Sequence, residues 1–429
     1  MILETLVPLI VLIALLLAGV PVGFSLAISG TFGLFLVVDI SSIPVLLVND
    51  TYQSTASYLL STIPMFILMA EFLREGGLTE KIFTAANRWL SGVRGGLAMA
   101  TALASGGMAA LSGSSTATAA TMSNVAVPEM KKYGYGDRIS LGTVSAAGTF
   151  AVMIPPSLAL IIYGILTETS ISALFIAGIV PGLLTVVGYG LTIVVWGRMN
   201  PSEVGGTPQQ YTTREKFGSL SGIWPAVVIV ALVLGGLYLG VVTPTEAGAL
   251  GAAGTMVVAV LVGGMRFSGT RNALQRAAET TAMIFIIVIG AMIFSRFLTF
   301  SGALDTFVDT LTDLPVDRRV ILLLILAMYV AMGTVMDQLA ILILTLPVVF
   351  PLMVELGYGP VWFGIVLTKT IEVGLVTPPL GMNVYIAAGT VDMDVATGFR
   401  GAMRFLPVDF VIITLLILFP EIATFLVPA

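Results

Sequence analysis

Apolar runs long enough to cross a bilayer follow one another along almost the whole chain. Of its 429 residues, 57% are hydrophobic and 10% are charged, against roughly 25% charged in a soluble domain. A backbone in hydrocarbon must satisfy its own hydrogen bonds, which leaves helices or closed barrels. Uninterrupted runs of about 20 apolar residues fit helices. The chain is therefore expected to be an all-α polytopic membrane protein. Ten spans are predicted, near residues 3–18, 22–38, 59–75, 137–168, 171–197, 223–241, 244–263, 281–299, 361–389 and 405–426. The opening run has no basic leader or small-residue cleavage site and reads as a retained span.

Two further apolar stretches, 96–130 and 320–354, are too long for one span, and each is interrupted midway by GSSTATAAT or GTVMDQLA. Both read as re-entrant hairpins, because irregular backbone at membrane depth is tolerated only where it lines a cavity or is buried. The polar connector 198–220 separates two halves, giving repeats over 1–198 and 223–429 with a linker at 199–222. Pro21 and Pro244, Pro128 and Pro351, the GYG at 134–136 and at 357–359, and Pro155-Pro156 and Pro378-Pro379 all share an offset of 223. Such self-similarity predicts an internal repeat. With the connector in the cytoplasm, fifteen of the 19 basic residues fall on that side. Arg296, Arg318 and Arg319 fall outside, and Lys369 lies within a span. Five spans per half then make the repeats inverted, with opposed hairpins and both termini periplasmic. Amphipathic segments at 78–96 and 302–319 read as arms bracing a moving part, or as plain surface helices.

The residue inventory removes much chemistry. The sequence has no His and no Cys, so thiol nucleophiles, disulfides and His-based metal or acid–base sites lack their residue. A net charge of −5 offers no basic surface for nucleic acid. No GxxxxGK[ST] loop is present, so ATP is not the direct energy source and an ion gradient must do the work. No enzymatic activity is expected.

Polar groups at membrane depth carry what chemistry remains. The tip Ser112-Gly113-Ser114-Ser115-Thr116-Ala117-Thr118 carries five hydroxyls at a helix start, which suits an anion or a hard cation, or simply close helix packing. The doubled prolines within 148–157 and 374–383 remove donors and free carbonyls. Because they recur in both halves beside a polar hairpin tip, they suggest a discontinuous-helix ion and substrate site. Asp337 sits at the second tip, where it either caps a helix or lies near a cation. Lys369 and Glu372, three apart on one helix face, are functional or a mutually neutralising pair. Glu71 and Arg74 read as a helix-end anchor.

The stretches SGSSTATAATMSNVAVPEMKKYGY, MIPPS, GTVMDQLAILILTLPVVFPL and GLVTPPLGMNVY, in this order and spacing, resemble the large membrane subunit of the tripartite ATP-independent periplasmic (TRAP) transporters. GVPVGFSL near the start is also similar to that family's opening. The resemblance implies an elevator-type secondary carrier in a bacterial or archaeal inner membrane, importing a small organic anion with sodium ions. It also implies a small four-span membrane subunit and a periplasmic substrate-binding protein as partners. Carried over residue by residue, it places sodium at Ser112, Ser115, Gly148, Ile154 and Pro155, and at Gly333, Asp337, Gly374, Thr377 and Pro378. Ser114, Thr116, Thr149, Ser157, Lys369 and Asn383 are left as candidate substrate contacts. Lys369 departs from the family's usual residue at its position. An ion-coupled carrier of related architecture without a binding protein is the alternative. An intramembrane protease is disfavoured, since no His is present and Asp337 has no acidic mate within a span.

Overall fold

The computed structural model describes residues 2–205, 210–313 and 315–427. Residues 206–209, in the middle of the expected connector, lie outside it, as does Leu314 in the second arm. Among the described residues every element is helical except one isolated bridge between Tyr135 and Val204. The first half runs α1 (Ile2–Leu17), α2 (Val22–Val37), α3 (Ile43–Thr55), α4 (Thr62–Glu75), α5 (Leu78–Leu90), α6 (Gly96–Ser112), α7 (Ser115–Lys132), α8 (Asp137–Gly148), α9 (Phe150–Met153), α10 (Leu158–Leu166) and α11 (Ile171–Met199). The connector forms α12 (Thr213–Leu220). The second half runs α13 (Trp224–Tyr238), α14 (Pro244–Leu261), α15 (Phe267–Phe300), α16 (Ala303–Thr312), α17 (Arg318–Gly333), α18 (Gln338–Glu355), α19 (Pro360–Leu375), α20 (Met382–Thr390), α21 (Val395–Ala402), α22 (Leu406–Leu418) and α23 (Glu421–Thr424).

Five helical stretches are long and apolar enough to cross a membrane unaided: 137–166, α11, α14, α15 and α18. Two bent pairs, α12 with α13 (51°) and α21 with α22 (44°), raise that to seven. The expected count of ten therefore depends on shorter apolar helices such as α1 and α2.

Small residues decide how these helices meet. A Cβ added to Gly23 would lie 2.8 Å from the Ile286 carbonyl oxygen, one on Gly30 2.7 Å from Phe294 Cα, and one on Gly290 2.1 Å from the Gly23 oxygen. Helices α2 and α15 thus cross backbone to backbone, the packing that apolar surroundings favour. Gly248 and Gly251 let α14 close on Phe66 and Met69 of α4, where Thr62 and Thr245 share a 2.8 Å hydrogen bond. At the end of α4, Arg74 pairs with Glu71 at 2.6 Å.

The two arms differ. Helix α5 buries Leu78, Phe83, Ala85 and Ala86, and the connector docks on it. The Trp89 indole donates to the Lys216 carbonyl at 3.1 Å and meets the Phe217 ring edge-on at 5.4 Å. A capping box between Thr212 and Glu215 starts that connector helix. Helix α16 buries no residue.

Candidate functional site

Each half contains a helix pair that turns sharply beside a helix broken at doubled prolines. Helix α6 ends at Gly113, whose φ of +61° is the left-handed conformation glycine adopts without penalty. Ser114 then caps α7 by accepting from the Ala117 amide. Between α9 and α10 the chain leaves the helix over Ile154–Ser157, where the Pro155-Pro156 bond is cis. In the second half α17 ends at Gly333, and Asp337 caps α18 by accepting from the Leu339 amide at 3.0 Å. Helices α19 and α20 are separated by Val376–Gly381, with Pro378-Pro379 also cis.

The tips are tied to the breaks in matching fashion. The Leu158 amide donates to the Gly113 carbonyl at 3.3 Å, and the Gly381 amide to the Thr334 carbonyl at 2.9 Å. Leu158 and Gly381 are themselves 223 positions apart, the offset of the proline landmarks. Close approach backs both ties: a Cβ on Gly113 would sit 2.9 Å from the Pro156 oxygen, and one on Gly374 2.5 Å from Gly333 Cα. The environments differ, however. Pro155 and Pro156 are buried, whereas Pro378 and Pro379 are exposed.

Around the first tip the hydroxyls are partly used up. Ser112 bonds Thr118 at 2.7 Å, and Ser114 lies 3.3 Å from the Thr116 hydroxyl. Thr149 donates to Ala146 and Ser157 to Val152, both carbonyls of their own segment. Ser115 is reached from the other half: the Asn383 side-chain amide donates to its hydroxyl at 2.7 Å and to the Ser145 carbonyl at 3.3 Å. All three residues are buried, yet the Asn383 carbonyl oxygen and the Ser145 hydroxyl have no partner. Gly148 packs its Cα face on Ala119 beside the Ser115 carbonyl. Buried oxygens without donors are costly, and hydroxyl, amide and freed carbonyl oxygens together suit a sodium-sized hard cation. At the second tip the Gln338 side-chain oxygen is likewise buried without a partner, while the Thr377 hydroxyl is spent on the Val373 carbonyl.

Lys369 lies elsewhere. It is wholly buried on α19, and its ammonium bonds Glu372 at 2.5 Å and Asp409 of α22 at 2.8 Å. The Tyr189 hydroxyl of α11 donates to the other Asp409 oxygen at 2.8 Å. Both bonds of Lys369 thus go to protein carboxylates. Asp409, Tyr189 and Ser145 escaped sequence reasoning. An acid inside LPVDFVIITLLIL was a visible signal for Asp409, masked by its place near the start of the predicted span. Nothing local marks Tyr189 or Ser145. Among the described residues no group of three or more acidic side chains is arranged to hold a metal ion.

Comparison with known proteins agrees in family and fold. The profile of the DctM component of the tripartite ATP-independent periplasmic transporter matches residues 9–422. A C4-dicarboxylate TRAP transporter large permease protein of Pseudomonas aeruginosa is 32% identical over 373 residues, covering 87% of each chain. A sialic acid TRAP transporter large permease protein of Vibrio cholerae is 29% identical over 421 residues, covering 97% of this chain and 96% of that one. An isethionate TRAP transporter permease protein of Oleidesulfovibrio alaskensis is 32% identical over 379 residues, and the match spans 58% of its length. In three dimensions the YdaH transporter of Alcanivorax borkumensis superposes with a TM-score of 0.69 over 91% of both chains at 15% identity.

Proposed function

This chain belongs to the DctM-component family of the tripartite ATP-independent periplasmic transporters, and on that premise we propose that it imports a small organic anion across an inner membrane, driven by sodium ions. The anion is a dicarboxylate, a sialic acid or a similar carboxylate, classes that the names of its relatives span. A periplasmic binding protein delivers it, and a small four-span membrane subunit completes the carrier. Ten spans in inverted repeats, termini outside, and an elevator movement of the hairpins and broken helices complete the reading.

One observation carries the sodium assignment: Asn383 meets Ser115 and Ser145 with buried, unpartnered oxygens on two of the three residues. Such a cluster is satisfied by a cation that accepts lone pairs, and the ends of broken helices supply further carbonyls. The substrate carboxylate then takes the amide-rich start of α7, where the helix dipole favours negative charge, the start of α18 being already capped by Asp337. Each net positive charge moving inward contributes about 2.3 kcal/mol per 100 mV, so the potential drives accumulation when the sodium ions outnumber the anion's charges: two or more for a monocarboxylate and three or more for a dicarboxylate.

The test is the thermal midpoint of the purified chain in detergent across NaCl, KCl and choline chloride titrations, since a ligand of the folded state raises it by mass action. A rise specific to sodium and lost in Ser115→Ala or Thr377→Val supports the reading. Superimposable curves in the three salts would remove sodium from it.

A further inference from the structure

We propose that the groove between α11 and α22 holds one anionic phospholipid, its phosphate on Arg404 and Asn200 and an acyl chain lying between the two helices. The site goes beyond the carrier reading and is separate from its sodium sites. Gly188 brings the helices together, since a Cβ there would lie 2.3 Å from a Val408 methyl carbon. Beside that contact runs a groove of about 960 Å³, lined by Leu184, Val187, Leu191 and Val195 of α11 and by Val411 and Leu415 of α22. Val187, Leu191, Val195 and Val411 are each more than half exposed, so the chain itself does not cover the groove. From Leu184 to Asn200 it extends about 24 Å along α11, more than one leaflet's half of a roughly 30 Å hydrocarbon core. An acyl chain fits it lengthwise.

Apolar faces are common on a membrane protein, and what marks this one is its end. The Arg404 guanidinium lies 4.1 Å from the centroid of the Trp196 ring, and among the described residues it has no carboxylate or hydrogen-bond partner. Asn200 donates its backbone amide to the Trp196 carbonyl, while its side-chain amide has no partner among the described residues. Glu203, the acid that touches Trp196, is held by the indole N–H at 3.0 Å and faces Arg138 at 3.9 Å. Among the described residues no acid lines the groove. Arg198 and Arg400, two and four positions before Asn200 and Arg404, are exposed. The end of the groove therefore presents positive charge and unspent donors.

A guanidinium offers paired donors that match a phosphate, and stacking on an indole holds its plane in place. Here α11 passes into the polar connector and α22 starts after the turn that carries Arg404, which is the depth at which headgroups lie and Trp is favoured. Basic pockets between spans take anionic headgroups. A zwitterionic lipid would bring its own ammonium toward Arg404, whereas phosphatidylglycerol brings none. A soluble phosphate ester has no chain to fill the groove.

The test counts bound lipid by native mass spectrometry on the full chain in detergent, titrated with dioleoyl phosphatidylglycerol or dioleoyl phosphatidylcholine. We expect one phosphatidylglycerol to be held in preference to phosphatidylcholine. Its half-saturation should rise about fivefold or more in Arg404→Gln, and similarly in Val411→Trp, which fills the groove and leaves the charge in place. Arg404→Lys, which keeps the charge and loses the paired donors, should fall between wild type and Arg404→Gln. Equal binding of the two lipids, or undiminished phosphatidylglycerol binding by Arg404→Gln, would overturn the proposal. So would competition by glycerol 3-phosphate at the lipid's own concentration, which would make this a small-anion site. Weaker binding of the small membrane subunit to Arg404→Gln, with lipid displaced by that subunit, would assign the groove to a protein partner instead. Each variant's thermal midpoint without added lipid reports its fold, and Val411→Trp, altered at an exposed position, carries the test if Arg404→Gln does not fold.

Discussion

The side-chain amide of Asn383 donates to the hydroxyl of Ser115 across 2.7 Å, joining positions 268 residues apart. Asn383 stands in the first turn of the helix after the second break, and Ser115 at the start of the helix after the first hairpin tip. The bond therefore ties the discontinuity of one half to that of the other, and through Ser145 to the broken helix of the first half. An ion bound there, as proposed, would contact both halves at once.

Replacing Asn383 by Leu removes the donor to Ser115 and to the Ser145 carbonyl. Leaving buried acceptors unpaired costs about 1–3 kcal/mol, so the thermal midpoint in KCl should fall by a few degrees. The rise on adding sodium should vanish as well. A variant that loses stability yet keeps the full sodium response would place Asn383 outside the ion site.

At Gly113 the left-handed conformation and the Pro156 oxygen 2.9 Å from a would-be Cβ act together. Gly113→Ala should cost about 1–2 kcal/mol from conformation alone, with the contact adding to it. Gly190, mid-helix in α11 with nothing within 4 Å of its would-be Cβ, is the control. There, Ala should stabilise by about 0.5–1 kcal/mol. Thermal midpoints of the two variants should therefore move in opposite directions.

Gly374 and Gly333 let the second hairpin touch the second broken helix. Because a Cβ on Gly374 would lie 2.5 Å from Gly333 Cα, Gly374→Ala must push α17 and α19 apart. Uptake by reconstituted carrier should fall at least tenfold, with sodium half-saturation displaced in the same assay. Normal uptake by Gly374→Ala would show that the two helices separate freely there.

Trp89 holds the connector helix by its indole bond to Lys216 and its edge against Phe217. Trp89→Ala should release that helix without disturbing the spans. Trypsin cleavage after Arg214 and Lys216 should accelerate several-fold while the thermal midpoint stays within about two degrees, since exposed surface changes cost little. Unaltered cleavage would mean that the connector is held elsewhere.

The membrane class, the helical content, the polar tips and the proline breaks were legible along the chain. Each follows from short-range physics: apolar runs must become helices in hydrocarbon, and paired prolines end a helix wherever they fall. The partners of the polar groups were not legible. Lys369 read equally well as a substrate contact or as half of a pair with Glu372, and the fold gives it Asp409, forty positions on, as a second carboxylate. Tyr189 acquires its role only when α11 meets α22, and Ser145 and Asn383 only when α8 meets α20. The physical reason is that these helices are apolar around most of their circumference, so no amphipathic stripe marks which face turns inward. Rotation and depth are set by where glycines such as Gly23, Gly290, Gly333 and Gly374 allow backbones to touch, and that is a property of helix pairs.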